Sequence, residues 1–523
     1  MKENTISQRI YNFIKEKENP YRLSFIATFI MGLLTHMYIY TNNFVNQDGI
    51  NSFFKAKDTF ISGRWFLEPM GRLFSNMSLP WLNGVVAMAS LGIITCVIVN
   101  ICNVKSKISI ILISLVTVTF PSITAINIYI FVADAYIIAL MFAALSVYLA
   151  DKGKIGIIAS IVLLTLSIGT YQINLFFAIS LYTFKILRLI LENKNFKDML
   201  KKLAKYITIV VISFIVYFIA TKIINRVFDI SLVSYKNIDK MGDIKRELVP
   251  DLLKIGRIEF FKFFNAQTKD YLGIIPALMN KIVFIIIVLE WIIICFNKTI
   301  IKPVNKVLLT LLIILAPRIF SFIYILNSIY IHHIMLISFV GLYYLVIQLS
   351  DFLVANIEGK KHVYLRNTMA VALLIISISW GIFANEVYTA YDLKNRNMYA
   401  LTNRLVAKIE EFDDYNYTKN VMIMGNKPDD VFGVTKPELN DLEGFTGIMM
   451  PYDYNFFVGR TSAYLYNEYV RTFIGVDLKY PGFKKELEIG ASEEFKSMPI
   501  YPEEGSIKKI DDIIIIKISE REG

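Results

Sequence analysis

An aspartate and an arginine stand in the polar stretch that follows the first long apolar segment of the chain. Asp48 lies in the run NQDGI at 46–50, and Arg64 lies in SGRWF at 62–66. A carboxylate can act as a general base toward a hydroxyl group, and a guanidinium binds phosphate oxygens through two parallel hydrogen bonds. The pair indicates group transfer at a membrane surface, with Asp48 as the base and Arg64 as the phosphate ligand.

Both residues also have ordinary interpretations. Aspartate is common in solvated loops and at helix caps, so Asp48 alone does not require catalysis. Arg64 is followed by Trp65, and an arginine beside an aromatic residue can extend its charged head to the membrane interface.

Composition predicts a polytopic α-helical membrane protein. Of its 523 residues, 55% are hydrophobic and only 19% are charged, and soluble domains are less apolar than this. A helix needs about 20 apolar residues to cross the hydrocarbon of a bilayer. We predict about 11 spans on that criterion, at 23–41, 83–102, 107–124, 127–150, 155–170, 172–190, 206–226, 281–297, 306–325, 327–350 and 367–386.

Lysine and arginine cluster in alternate short loops, which fixes the predicted orientation. Basic residues at the N terminus, at 105–107, 152–154, 194–205, 298–306 and 360–366 face the cytoplasm by the positive-inside rule. Asp48 and the chain after 387 then lie outside the cell membrane. The formal net charge of +11 is accounted for by this topology and needs no nucleic-acid partner. We see no cleavable signal peptide.

Cysteine and histidine are too sparse to indicate a disulfide or a metal centre. Cys96, Cys102 and Cys295 fall in or beside predicted spans, where no disulfide framework is expected. The four histidines have no spacing typical of zinc ligands. We therefore predict no cofactor; a divalent metal stays open but without support.

Several charged residues interrupt the predicted spans. Asp134 lies inside the fourth span, where an acid costs roughly 2.5–3.5 kcal/mol on insertion scales, so we expect a second site carboxylate facing a wet cavity. Alternatively, that span starts later and leaves Asp134 at the surface. Arg318 lies deep in the ninth span and is expected to bind a lipid phosphate, with Lys222 and Arg226 as competitors. Its alternative is a structural ion pair with Asp134.

Two predicted outer turns carry candidate ligands for a sugar or an acceptor. Tyr171 and Gln172 mark the turn after the fifth span and could hydrogen-bond hydroxyl groups, although helix ends often carry such residues. His332 and His333 follow Arg318 across another outer turn.

Two outer loops and a terminal region complete the predicted organisation. The loops at 42–82 and 227–280 contain amphipathic pieces, at 53–61, 66–74 and 248–264, that we expect to lie along the interface. We predict a membrane domain over 1–386. The chain from 387 to 523 has a soluble composition with a helix-like segment at 395–412 and strand-like segments at 420–425 and 510–518, and we predict a small extracytoplasmic α/β domain there.

Four short motifs together resemble the Gtr-type bacterial glucosyltransferases that modify O-antigen, which belong to the wider GT-C superfamily. They are the NQD run, GRW at 63–65, FVADAY at 131–136 and GTYQ at 169–172. The resemblance implies a GT-C-like fold, a polyprenyl-phosphate sugar donor and a catalytic aspartate in the first outer loop, here Asp48. Gln47 stands where such proteins often have a second acid, so no two-carboxylate or metal-assisted scheme is supported.

The sequence thus predicts a hexosyltransferase, with glucose as the expected sugar, acting on a cell-envelope glycan or polymer outside the membrane. One base and one displacement imply inversion at the anomeric carbon. Undecaprenyl phosphate is the expected carrier lipid. The rival hypotheses are a lipid or polysaccharide transporter, which buried charges would also suit, and a noncatalytic partner in envelope assembly.

Overall fold

The chain folds mainly as long helices. The computed structural model describes residues 19–43, 45–53, 59–73, 76–231, 248–265, 273–325, 331–413, 415–425 and 462–519. Two compact units are formed, one from 1–41 with 58–385 and the other from 42–57 with 386–523. The segment around Asp48 therefore belongs to the same unit as the C-terminal region.

The helices follow one another with short connections. In chain order they are α1 (Pro20–Thr41), α2 (Gln47–Asn51), α3 (Leu67–Gly71), α4 (Pro80–Cys102), α5 (Lys107–Val118), α6 (Pro121–Asn127), α7 (Ala133–Leu149), α8 (Gly153–Thr170), α9 (Asn174–Leu191), α10 (Phe196–Val227), α11 (Val249–Phe264), α12 (Ile274–Phe296), α13 (Pro303–Phe320), α14 (Gly341–Asn356) and α15 (Lys360–Glu410).

Most of these helices have the length and composition of membrane spans. Within the described residues, 10 helices qualify, and the number rises to 11 if α5 and α6 form one broken span. The two are bent by 45° at Pro121, whose ring cannot donate the backbone hydrogen bond that a continuous helix needs. The prediction of a polytopic helical protein is therefore supported by about ten candidate spans.

Helix α1 approaches its neighbours closely through small and hydroxyl-bearing residues. The Thr28 and Thr95 hydroxyls lie 2.7 Å apart between α1 and α4. A Cβ on Gly84 would stand 2.3 Å from the Tyr40 ring, so only glycine fits there. Such small residues let backbones approach, as is typical of helix packing in membranes.

One end of the bundle is closed by an ionic cluster, which we call the Asp151 cluster. Asp151 lies in the turn between α7 and α8, and Lys185 donates to it at 2.8 Å and Lys202 at 2.5 Å. Lys205 and the Tyr206 hydroxyl also donate to this carboxylate. Burial alone would raise the pKa of Asp151, but these donors hold it well below its usual range. The cluster ties α9 and α10 to the α7–α8 turn.

Helix α11 is anchored by an aromatic core. Phe260, Phe263 and Phe264 are buried on one face, and the Phe260 and Phe339 ring centroids lie 5.0 Å apart at a steep angle, a favourable geometry for aromatic pairs. A Cβ on Gly256 would stand 2.9 Å from the Ser321 hydroxyl. This helix therefore lies against the end of α13.

The predicted interfacial pieces are only partly covered by the described residues. The segment 248–264 forms α11, as the pattern predicts, and the piece at 66–74 includes α3. Residues 54–58, 74–75, 232–247 and 266–272 lie outside the described part of the chain. The first piece, at 53–61, therefore cannot be followed through.

The last predicted span and the helix expected after it are one continuous helix. We expected a break between 386 and 395, but α15 runs without interruption from Lys360 to Glu410. The chain has neither glycine nor proline from 382 to 412, so nothing in the sequence stops the helix. The boundary between the two units falls within it.

The second unit contains a small mixed sheet. The remaining elements are β1 (Asn420–Met424), α16 (Ser462–Tyr469), α17 (Phe483–Ala491), α18 (Glu493–Lys496), β2 (Ile507–Ile510) and β3 (Ile513–Lys517). The strand order is β1-β3-β2, with β1 parallel and β2 antiparallel to β3. Met422, Ile489 and Ile515 belong to the hydrophobic core of this sheet region. The predicted sheet region at the C-terminal end of the chain is confirmed.

Candidate functional site

Three side chains from different parts of the chain converge at the end of α8 that is opposite the Asp151 cluster. The Arg64 guanidinium lies 4.7 Å from the centroid of the Tyr171 ring and donates to the Tyr136 hydroxyl at 3.3 Å. The rings of Tyr136 and Tyr171 are 5.1 Å apart. We call this group the Arg64 cluster. It is a cation over an aromatic face, an arrangement that orients the guanidinium.

The loop that carries Arg64 is held from beneath by polar contacts. Gln172 donates its side-chain amide to the Ser62 carbonyl at 2.9 Å, and the Tyr217 hydroxyl donates to the Gly63 carbonyl at 3.1 Å. Gly63 has a φ of 70°, and a Cβ there would stand 2.9 Å from the Tyr217 hydroxyl. Only glycine accepts both the left-handed backbone and the close approach.

The next residues of the same loop dock on the end of α8. The Phe66 amide donates to the Gly169 carbonyl at 2.9 Å. A Cβ on Gly169 would stand 2.6 Å from the Trp65 ring. The motifs GRW and GTYQ are thus packed against each other, which places Arg64 over Tyr171.

Asp134 is buried in the first turn of α7. Its exposed fraction is 2%, and its Oδ1 atom has no hydrogen-bond partner among the described residues, Arg318 included. The candidate span begins at Ile130, so the sequence alternative of a surface position does not hold. The N terminus of a helix favours a negative group, and Tyr136 of the Arg64 cluster is on the same helix.

Asp48 lies in the second unit, at the start of the short helix α2, and its residue is exposed. The cap of this helix is Asn46, whose side chain accepts from the Gly49 amide at 2.8 Å. The alternative of Asp48 as the capping residue is therefore not what the structure shows. Its predicted role as base stays a prediction.

The other predicted ligands lie on separate elements of the first unit. Arg318 is half-buried in the last turn of α13, and Lys222 and Arg226 are exposed near the end of α10. His332 and His333 are half-buried, and the His333 carbonyl accepts from the Ser122 hydroxyl at 2.6 Å. The described contacts join none of these five residues to the Arg64 cluster.

Sequence reasoning did not assign a role to three residues that the structure brings forward. Tyr136 was part of a quoted motif, but only the fold shows its contact with Arg64. Tyr217 carries no local signal, since it lies mid-helix and its partner is distant in the chain. Glu290 was visible as an acid inside an apolar segment, and it is fully buried in α12.

This end of the bundle carries a guanidinium that suits an anionic ligand and tyrosine hydroxyls that suit a ligand with hydroxyl groups. Burial raises the pKa of Tyr171 above its usual range, against the opposing effect of Arg64, so the phenol stays neutral and keeps its proton. Within the described ranges, no group of three or more His, Cys, Asp or Glu residues is placed to hold a metal ion.

The architecture, with about ten candidate membrane spans among the described residues, is that of a polytopic helical protein with a polar site at one end of its bundle. The family model of the glucosyl transferase GtrII matches residues 37–350, which is more than half of the chain. The protein therefore belongs to the GtrII glucosyl transferase family, as its motifs predict. No curated protein and no solved structure matches the chain.

Proposed function

We propose that this protein transfers glucose from a polyprenyl-phosphate donor to a cell-envelope glycan or polymer on the outer face of the cell membrane. Family membership supports the glucosyl transfer. The observation that supports the phosphate donor is the Arg64 cluster, in which Tyr171 and Tyr136 orient the guanidinium. Tyr136 lies on α7, the helix that also holds the buried Asp134.

Arg64 serves as the ligand of the donor phosphate in this proposal. The sugar phosphate is already a good leaving group, so the reaction needs cations for the departing oxygens rather than a proton donor. Tyr171 orients the guanidinium, whose carbon atom lies 4.7 Å from the ring centroid, and in this proposal the guanidinium binds the phosphate oxygens. The Tyr171 hydroxyl is the proposed contact with the sugar.

Asp48 serves as the general base. The acceptor hydroxyl oxygen attacks the anomeric carbon as the bond from that carbon to the phosphate oxygen breaks, and the proton passes to the Asp48 carboxylate. The phosphate leaves on its lipid with the bonding electron pair. A single displacement inverts the anomeric centre, as the sequence predicts. Asp134 supplies the second carboxylate, which accepts a hydrogen bond from a sugar or acceptor hydroxyl.

Gln172 acts through the loop that it holds. Its amide donates both to the Ser62 carbonyl and to the Tyr217 hydroxyl, at 2.9 and 3.1 Å. A residue engaged in this way keeps Arg64 in register with Tyr171. Arg318, Lys222, Arg226, His332 and His333 stay predicted ligands, of the lipid phosphate and of the sugar or acceptor respectively.

The base is tested by Asp48→Asn. We expect transfer from a polyprenyl-phosphate glucose donor to fall about 100-fold or more, because an amide cannot take the acceptor proton. Donor binding should persist. Asp229→Asn, at an exposed aspartate after α10, is the matched control and should keep full turnover. Normal transfer by the Asp48 variant would assign the base to another residue, with Asp134 next.

The orientation is tested by labelling single cysteines in intact cells, after the three native cysteines are replaced by serine. Tyr417→Cys, at an exposed residue of the second unit, should react with a membrane-impermeant maleimide. Lys201→Cys, exposed near the start of α10, should react only after permeabilisation, since its loop is predicted to be cytoplasmic. The reverse pattern would contradict transfer on the outer face.

A further inference from the structure

The exposed face of α11 combines cations with large apolar side chains. Ile255, Ile258 and Phe261 are 38%, 40% and 39% exposed, and the neighbouring Lys254 and Arg257 are exposed too. The opposite face carries the buried phenylalanines of the aromatic core. A helix of this kind rests in the boundary between headgroups and acyl chains, with its cations directed toward headgroups.

A cavity opens on this exposed face. It has a volume of ≈ 320 Å³ and is lined by Arg257, Ile258, Phe261, Lys262 and Asn265. Residues four positions apart stand one above the other on a helix, so Arg257 and Phe261 share one side of the cavity. Two cations, an amide and two apolar side chains of α11 and its C-terminal cap thus line one open space.

Helix α11 is held firmly in place at the end of the bundle. Its Gly256 packs on Ser321 at the end of α13, and its buried rings contact α13 and α14. The end of α11 is followed closely in sequence by the start of α12, at Ile274. The cations are therefore presented by a fixed element at a bundle end, where lipid headgroups would lie.

We propose that this cavity binds the headgroup phosphate of an anionic bilayer phospholipid, with Arg257 and Lys262 on the phosphate oxygens and Ile258 and Phe261 against the acyl chains. The two cations of the cavity match the phosphate of such a lipid, and its two apolar side chains match the acyl chains. A soluble anion would make no use of the apolar side chains. The lining shares no residue with the Arg64 cluster. The proposal therefore stands whether or not the transfer reaction is as proposed above.

A neighbouring acid sets how strongly the cavity attracts a phosphate. Glu259 accepts from Lys262 at 2.7 Å, with Glu259 the less exposed partner. This ion pair reduces the charge that Lys262 offers to a ligand. Removal of the Glu259 carboxylate should therefore strengthen lipid binding. If the Glu259–Lys262 ion pair were purely structural, its removal would not have this effect.

The test uses the purified full-length protein in nanodiscs of phosphatidylcholine with increasing phosphatidylglycerol. Retained phosphatidylglycerol is measured by native mass spectrometry. Arg257→Gln and Lys262→Gln should each weaken binding about tenfold or more, because each removes a hydrogen bond from a charged group to the phosphate. Glu259→Gln should tighten it. Lys254→Gln is the matched control on the same helix, because Lys254 does not line the cavity, and should leave affinity unchanged.

Three results would overturn the proposal. One is equal phosphatidylglycerol affinity in the wild type and in Arg257→Gln. A second is equal loss in Lys254→Gln, which would mean diffuse attraction to the surface. The third is displacement of the lipid by a polyprenyl monophosphate or by inorganic phosphate at the same concentration. Glucosyl transfer in phosphatidylcholine alone is measured in parallel and reports separately on the proposed function.

Discussion

The two ends of α8 hold charged residues in opposite ways. At its start, the Asp151 carboxylate accepts from three lysines and a tyrosine. Beyond its end, about 27 Å away for 18 residues, Arg64 contacts two neutral tyrosines, and Asp134 on the adjoining helix keeps an oxygen without a hydrogen-bond partner among the described residues. The first end is a structural cluster of ion pairs, and the second is the candidate ligand site.

The largest effect that would test this comparison is expected for Asp134→Asn. Transfer should fall about 100-fold, in the range for loss of a positioned carboxylate. The melting temperature in detergent should stay equal or rise, because the variant buries no charge. Asparagine is nearly isosteric, so a drop of the melting temperature with normal turnover would make Asp134 structural and would break the comparison.

Arg64→Lys comes next. We expect donor binding to weaken by about 1.5–3 kcal/mol, the scale of one hydrogen bond to a charged group, because lysine keeps the charge but not the planar fork. Titration with a polyprenyl-phosphate donor measures this. Arg72→Lys is the matched control in the same loop, since Arg72 is an ion-pair partner of Glu68, and it should bind donor normally.

Arg318→Lys separates two roles for the arginine in the last turn of α13. Weaker donor binding would support Arg318 as a second phosphate ligand. A lower yield of folded protein with normal affinity in the folded fraction would instead make it structural. Unchanged affinity in both Arg64→Lys and Arg318→Lys would move the phosphate site to Lys222 or Arg226.

The smallest effect on activity is expected at the Asp151 cluster. Asp151→Asn should cost about 1–3 kcal/mol, between the values for exposed and buried ion pairs, because three lysines lose their common acceptor. The melting temperature should fall by several degrees while turnover at low temperature is kept. Asp198→Asn, at an exposed acid of the same end, should change neither.

The melting-temperature difference between the wild type and Asp151→Asn should depend on pH with a definite sign. The folded pKa of Asp151 lies below its usual value of 3.8, so its stabilising contribution is present above that value and is lost as pH falls through the folded pKa. The melting-temperature gap between the wild type and Asp151→Asn should therefore be constant from about pH 8 to pH 5. A gap that closes over this range would mean that Asp151 is not held in its charged form.

The sequence predicted most of the candidate spans because hydropathy is a local property, although the span predicted at 327–350 begins at Ile337 and the one at 107–124 is broken. The ranges of Pro80–Cys102 and Gly153–Thr170 follow directly from apolar length. The Asp151 cluster was not predictable, since Lys185 and Lys205 are distant from Asp151 in the chain and their convergence depends on helix packing. For the same reason, the hydrogen bond from Tyr217 to the Gly63 carbonyl was not predictable.

The candidate site was predicted in part. Arg64, Tyr171 and Gln172 were selected from short motifs, and the structure brings these three together. The sequence did not show which of them holds the loop and which is placed to bind a ligand, because a glutamine that binds a loop and one that binds a sugar look alike in sequence. The association of 42–57 with the second unit was also hidden, since no composition change marks it.

Glu290 has a consequence for how the protein is made. Its helix α12 emerges from the ribosome before α14, against which it packs in the finished structure. In the proposed membrane topology, the acid enters the bilayer during that interval without its final neighbours, at roughly 2.5–3.5 kcal/mol on insertion scales. The other residues of this segment are largely apolar, and in that topology they offset the cost of inserting Glu290 before α14 has been made.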